Sequence, residues 1–239
     1  MPTDELTDRS DQIDLLLKGD VDIEGRMPWS SNATFLVNVT HGDRAAQAIY
    51  KPTRGERPLW DFEPGLHRRE LAAYRLGLAL GLDLVPPTII RDGPLGEGSV
   101  QWFVAADHQQ HYFTIHETRE DLHDDLRAVA LFDLLANNTD RKSGHVLIDD
   151  ADHIWGIDHG LCFAAEFKLR TVVWEFGGEE VPEHLLPAVA KLAVQIPLDI
   201  AALLSDDEVE SVQERAAWVV EQPVFPVDRS GRRYPWPLV

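Results

Sequence analysis

The chain has 239 residues, 44% of them apolar and 26% charged, with 22 Lys and Arg against 41 Asp and Glu and a net charge of −19. Such a surface repels nucleic acid and anionic lipid at long range, which argues against DNA binding and against docking on an acidic membrane. No run reaches the roughly 18 apolar residues a membrane span needs, and a single cysteine, Cys162, leaves no internal disulfide and no multi-cysteine zinc site. The opening MPTDELTDRSDQ has neither a basic start nor an apolar core. No secretory signal is expected there, and the expected compartment is the reducing cytoplasm.

In chain order, Asp11–Lys18 carries Ile13 and Leu15–Leu17 and predicts a short helix stopped by Gly19. Strands are expected at Val21–Gly25 and Thr34–Val39, the latter followed by a His41-Gly42-Asp43 turn, and then at Ala45–Tyr50. Lys51 closes that strand, and Pro52, lacking a donor, ends it. Residues 53–65 are rich in Pro, Gly and Trp and read as a loop. Leu66–Leu80 sets Leu71, Tyr74 and Leu78 on one face at helical spacing, with Gly81 as the stop. Two more strands follow, Thr88–Arg91 and Ser99–Ala105, joined by the turn-rich DGPLGEG.

After about residue 107 the character becomes helical. Asp121–Asn137 is a long amphipathic helix, Val146–Ile148 and Ile154–Ile157 are short strands, and Glu183–Gln195, Pro197–Leu204 and Asp206–Glu221 are further helices. Residues 222–239 are proline-rich and irregular. The order predicts an α+β protein of two lobes, β-rich over 1–106 and compact and α-rich over 107–239.

The chemistry concentrates in Asn138–His159, NTDRKSGHVLIDDADHIWGIDH. Asp140 follows a helix, His145 precedes a strand, and Asp158 follows the next strand. A loop, hairpin and loop of this length can bring two carboxylates and an imidazole to one end of a small ribbon. Phosphoryl transfer uses such a set, one carboxylate orienting the attacking hydroxyl and another holding Mg²⁺.

Asp140-Arg141-Lys142-Ser143-Gly144-His145 resembles the catalytic loop of phosphoinositide-kinase-like and HipA-type kinases, and Ile157-Asp158-His159-Gly160 resembles their metal-binding segment. The chain also resembles actinobacterial-type proteins classed as phosphatidylinositol-kinase-like. The resemblance implies a bilobal protein-kinase-like fold, an atypical kinase using ATP and Mg²⁺ or Mn²⁺, Asp140 and Arg141 as catalytic residues, and Asp158 and His145 at the metal. His145 stands where the family has Asn and offers nitrogen, a softer donor. The resemblance further implies Lys51 on the phosphates, Glu70 of HRRELAAYRL as its ion-pair partner, and Ser30, Ser31 and Asn32 in a phosphate loop without the usual glycines. Lys168 and Arg170 fall where an activation segment would face substrate.

The expected acceptor is a hydroxyl on a protein or small molecule, with lipid disfavoured by the charge. Two alternatives come from other classes. One is a nucleotide-binding pseudokinase scaffold, suggested by His145. The other is a metal-dependent hydrolase built on His145, His153, His159, Asp140 and Asp158, although no H-E-x-x-H occurs.

Overall fold

The computed structural model describes residues 8–28 and 32–239. Helix α1 (Arg9–Lys18) starts where the Asp8 carboxylate accepts from Ser10 N, a capping contact, and buries Leu15 and Leu16. Gly19 then lets the chain pass under the sheet, since a Cβ there would come within 2.5 Å of Val39.

Five antiparallel strands follow: β1 (Asp20–Arg26), β2 (Phe35–His41), β3 (Arg44–Pro52), β4 (Thr88–Gly93) and β5 (Gly96–Trp102), in spatial order β1-β2-β3-β5-β4. The β2–β3 hairpin turns through Gly42 and Asp43, with Gly42 at φ 61°, as a two-residue loop between twisted strands requires. Period-two alternation places Val37, Val39, Ala48, Tyr50 and Val100 on the face packed against Leu15, Leu16 and Ile89.

Helix α2 (Leu66–Leu80) interrupts the strand order and ends at Gly81, φ 71°, a left-handed cap. Its Leu71, Leu76 and Leu80 belong to the larger helical core rather than to the sheet core. The second lobe comprises α3 (Tyr112–Thr118), α4 (His123–Ala136), the hairpin β6 (Val146–Ile148) and β7 (Ile154–Gly156), α5 (Leu186–Val194), α6 (Leu198–Ala201) and α7 (Asp206–Glu221). A Ser205/Glu208 capping box starts α7. The architecture is therefore the expected α+β, bilobal one.

Three details differ from the sequence reading. Helix α3 was not expected, because it buries only Tyr112 and Ile115. The β4–β5 hairpin runs deep into DGPLGEG, leaving only Pro94 and Leu95 between the strands, and β5 stops at Trp102 instead of Ala105. Helix α6 is four residues, shorter than the expected 197–204.

Candidate functional site

The end of β3, the middle of α2 and the loops flanking the β6–β7 hairpin converge. Lys51 is paired in register with Ser99 of β5, which fixes its backbone. Its Nζ contacts Glu70 Oε1 and lies 2.8 Å from Asp158 Oδ1. Glu70 is 2% exposed, so its charge is tolerable only because Lys51 and the backbone N–H of His159 (3.1 Å) satisfy it. Asp158 follows β7 and adopts φ 60°, a left-handed conformation that Asp tolerates better than most residues.

Asp140 lies in the loop after α4. Its backbone N–H donates to Asn138 Oδ1 at 3.0 Å, and its Oδ2 accepts from Lys142 Nζ at 2.6 Å. His145 closes the next turn, with Nδ1 accepting from Lys142 N at 3.4 Å and Nε2 3.5 Å from Asp158 Oδ2. Direct contacts thus join four of the sequence-predicted residues, Lys51, Glu70, His145 and Asp158, and Asp140 is tied to them through Lys142, whose Nζ it binds and whose backbone N–H donates to His145.

Electrostatics separates the two carboxylates. The Lys51 ammonium holds the Asp158 carboxyl far below the usual carboxylate range, overcoming the burial that would raise it. Burial raises Asp140 instead, with the Asp158 charge adding to the rise and Lys142 opposing it. Burial alone would depress Lys51, but the Asp158 and Glu70 carboxylates outweigh it and hold the ammonium above the usual lysine range. Burial pushes His145 down to about 4 against the pull of Asp158, so the ring is neutral near pH 7.

Arg141 is fully enclosed behind this cluster. Its Nε and Nη2 bond Asp133, Nη1 donates to the carbonyls of His145 (3.2 Å) and Ile157 (2.9 Å), and Nη2 donates to His159 Nε2 (2.8 Å). Asp133 is also fully buried and accepts from Asn138 Nδ2 (3.0 Å) and Thr171 Oγ1 (3.0 Å). A hydrogen-bonded path therefore runs from Lys51 through Glu70, His159, Arg141 and Asp133 to Thr171. In this setting Arg141 braces the loop that carries Asp140. His159, at the aromatic position of the segment, packs edge-on against Phe132 with ring centroids 5.1 Å apart.

The remaining sequence candidates lie elsewhere or cannot be placed. Asn32 Oδ1 accepts from Arg57 N at 3.0 Å, tying two loop segments together. Ser30 and Ser31 lie outside the described residues. His153 reaches the Asp83 carbonyl at 2.5 Å and packs on Trp155, so it does not share the Asp140–Asp158 cluster that the hydrolase alternative assigned to it. Sequence reasoning assigned no role to Asp133 or Lys142. An acid inside the apolar run LFDLLAN was the available signal for Asp133.

The chain is 39% identical over 269 aligned positions to Protein Rv2133c of Mycobacterium tuberculosis, with 97% of each covered. The chain belongs to the family of that protein. No family model matches it. Among solved structures this Rv2133c-family chain resembles hydra Fam20 determined with sugar, at a TM-score of 0.60 and 12% identity over 91% of this chain and 89% of that one. It also resembles the Helicobacter pylori proinflammatory kinase CtkA, at a TM-score of 0.51 and 12% identity over 87% and 94%. At such identity the likeness is one of fold. The Rv2133c-family chain has the kinase-like fold expected from its sequence. The narrower resemblance to phosphoinositide-kinase-like and HipA-type kinases rests on the loop motifs alone.

The Asp140 and Asp158 carboxylates are oxygen donors of the kind a hard divalent cation takes. Among the described residues no three His, Cys, Asp or Glu side chains group as metal ligands. Mg²⁺ typically takes only one or two carboxylates and completes its shell with phosphate and water, so a dedicated protein cage is not required.

The buried histidines give the Rv2133c-family chain an acid-side weakness. Burial holds His145 near 4, below the ordinary histidine value of about 6.5, and likewise holds His159 well below the usual histidine range. Unfolded rings therefore take up protons that the folded rings refuse as pH falls from 6.5 towards 4, and stability falls with them. Urea midpoints measured between pH 7 and 4 should decline over that window. His145→Asn should flatten part of the slope.

Proposed function

We propose that the chain is an atypical kinase that transfers the γ-phosphate of ATP, with Mg²⁺ or Mn²⁺, to a hydroxyl acceptor. The observation that carries this reading is the single contact set at Lys51. The ammonium, on β3, touches both Glu70 of α2 and Asp158 after β7, and the Asp158 charge acts on Asp140. A kinase-like fold supports it further.

Each residue then has a task. Glu70 holds Lys51 where it can bind phosphate oxygens. Asp140 orients the acceptor hydroxyl and takes its proton as the oxygen bonds to phosphorus and ADP leaves. Lys142, already on Asp140, offers a cation for the charge that develops. Asp158 is the principal metal ligand, and the bound ion supplies charge compensation for the phosphates. His145 accepts the Lys142 N–H at Nδ1, so its neutral ring carries the proton on Nε2, facing Asp158. Ligation through Nε2 would need the opposite tautomer, and we therefore assign His145 to orienting Asp158. Arg141 and Asp133 position the loop.

A protein or small-molecule acceptor suits the charge of −19 better than a lipid, and among the described residues no helix is long and apolar enough to cross a membrane. The lone, buried Cys162 suits a reducing cytoplasm. A nucleotide-binding scaffold without transfer is the second reading, favoured by His145 in the place of Asn.

The test is thermal denaturation with ATP and Mg²⁺ or Mn²⁺, paired with ATP turnover. At a hundredfold excess over Kd, the melting temperature should rise by about 5–10 °C. Lys51→Met should lose most of that rise. Stabilisation without turnover would select the scaffold reading, and no stabilisation by either metal–nucleotide pair would reject both.

A further inference from the structure

A cavity of about 390 Å³, the low end of the range typical for small-molecule sites, has Arg69, the residue before Glu70 in α2, in its lining. Its walls are the 59–64 loop that precedes α2 and the 164–168 segment that follows Asp158. That segment is tied to the loop carrying Asp140. Asn137 Nδ2 donates to the carbonyls of Ala164 and Glu166, each at 2.8 Å, and Asn137 Oδ1 accepts from Lys168 N at 2.9 Å. Asn137 stands three residues before Asp140.

The lining carries four carboxylates, Asp61, Glu63, Glu166 and Glu208, against two cations, Arg69 and Lys168. Arg69 is engaged by Glu208 and the Cys162 carbonyl. Lys168 lies 3.7 Å from Asp61 and 3.3 Å from Glu166, so one ammonium faces two carboxylates. Glu63 has no cationic partner among the described residues. The cavity is thus acidic, and its lysine is already neutralised, which disfavours a phosphorylated or otherwise anionic acceptor.

Trp60, 91% exposed, forms one rim, an unusual position for a residue that normally buries most of its surface. The Lys168 ammonium sits 5.4 Å from its ring centroid. Phe167 on the same segment carries the Arg233 guanidinium at 5.1 Å. Of these two rings only Trp60 lines the cavity, and its contact with Lys168 shows that this wall accepts a cation.

We propose that this cavity is the acceptor subsite of the kinase proposed above and takes a hydroxyl compound bearing an ammonium or guanidinium group. Trp60, 91% exposed, supplies the ring face that Lys168 leaves open, and Glu63 supplies the counter-charge, joined by Glu166 where the ligand's cation displaces Lys168. The inference rests on the kinase reading for its chemistry, in which the acceptor oxygen bonds to the γ-phosphorus, its proton passes to Asp140, and ADP departs. Its binding claim can be tested apart from that reading.

The test uses the full chain and four probes: a serine peptide flanked by arginines, its glutamate twin, a hydroxylated diamine and a neutral polyol of similar size. Binding is measured by calorimetry without nucleotide, and phosphate transfer with ATP and Mg²⁺ or Mn²⁺. The arginine peptide or the diamine should bind and be phosphorylated at least about tenfold better than its uncharged or acidic counterpart. Which of the two is preferred distinguishes a peptide source from a small-molecule source. Trp60→Ala and the double variant Glu63→Gln/Glu166→Gln, checked for folding by their melting curves, should each erase that preference. Cationic binding that depends on Trp60 without any transfer would uphold the subsite and reject the kinase reading. Equal binding of charged and uncharged probes, or a preference untouched by both variants, would overturn the subsite.

Discussion

Asp133→Ala is expected to destabilise the protein by about 3–5 kcal/mol, the cost of removing one partner of a fully buried ion pair. The reason is the enclosure of Arg141, which is 0% exposed and, among the described residues, is paired with no other carboxylate. Without Asp133 the guanidinium keeps its charge in a dry environment, and Thr171 and Asn138 lose their acceptor as well. Leaving several buried donors unmet adds to the penalty. Replacing both partners with apolar residues of similar size, Asp133→Leu with Arg141→Met, should recover part of the loss, since no unpaired charge then remains. Equilibrium urea unfolding of both variants and of the unsubstituted chain measures these losses. A loss below about 1 kcal/mol for Asp133→Ala, the range of an exposed pair, would mean the network does not exist as described.

Asp140→Asn is expected to lower phosphate transfer by about 10²- to 10⁴-fold, the usual worth of a positioned general base, while leaving ATP-dependent thermal stabilisation in place. The substitution keeps the shape and an oxygen acceptor for Lys142 but cannot take a proton at that position. Lys51, Glu70 and Asp158 are untouched, so nucleotide affinity should hold. A radiolabelled-ATP assay of both proteins at saturating nucleotide separates the two effects. Equal transfer by the variant would remove Asp140 from the chemistry. Loss of ATP stabilisation in step with transfer would make it a binding residue instead.

The sequence reading went furthest where local signals agree. Helix α2 matches its expected bounds because its apolar spacing ends at Gly81, and α7 matches its expected bounds as well. The β4–β5 hairpin was cut short because its glycines read as turn residues. Only Gly96, at φ 97°, serves the turn geometry. Gly98 is instead required because β3 passes so close that a Cβ would meet the Lys51 carbonyl at 2.4 Å, and Gly93 because a Cβ would meet the Tyr50 ring at 2.8 Å. Such close approaches are set by neighbouring strands and leave no local pattern.

The same distinction divides the site. Lys51, Glu70, Asp140 and Asp158 were legible because their order along the chain resembles a known arrangement. The Asp133–Arg141–Thr171 network was not, because its members are distant in sequence and are joined only by the packing of α4 against the segment after Asp158. Arg141, read from the resemblance as catalytic, lies fully enclosed, with its guanidinium bonded to Asp133, His159 and the carbonyls of His145 and Ile157. The Trp60 rim was equally hidden, since a Pro-, Gly- and Trp-rich loop gives no sign of which segment it will face.

The central claim is that Lys51, Asp140 and Asp158 form one phosphate and metal site. A crystal structure with a non-hydrolysable ATP analogue and Mn²⁺, with the ion located by its anomalous signal, tests it most directly. The expected result is a manganese peak within coordination distance of the Asp158 carboxylate, Lys51 on the phosphates and Asp140 facing the γ-phosphate. Nucleotide or manganese bound elsewhere, with the Lys51–Asp158 pair unchanged, would contradict it.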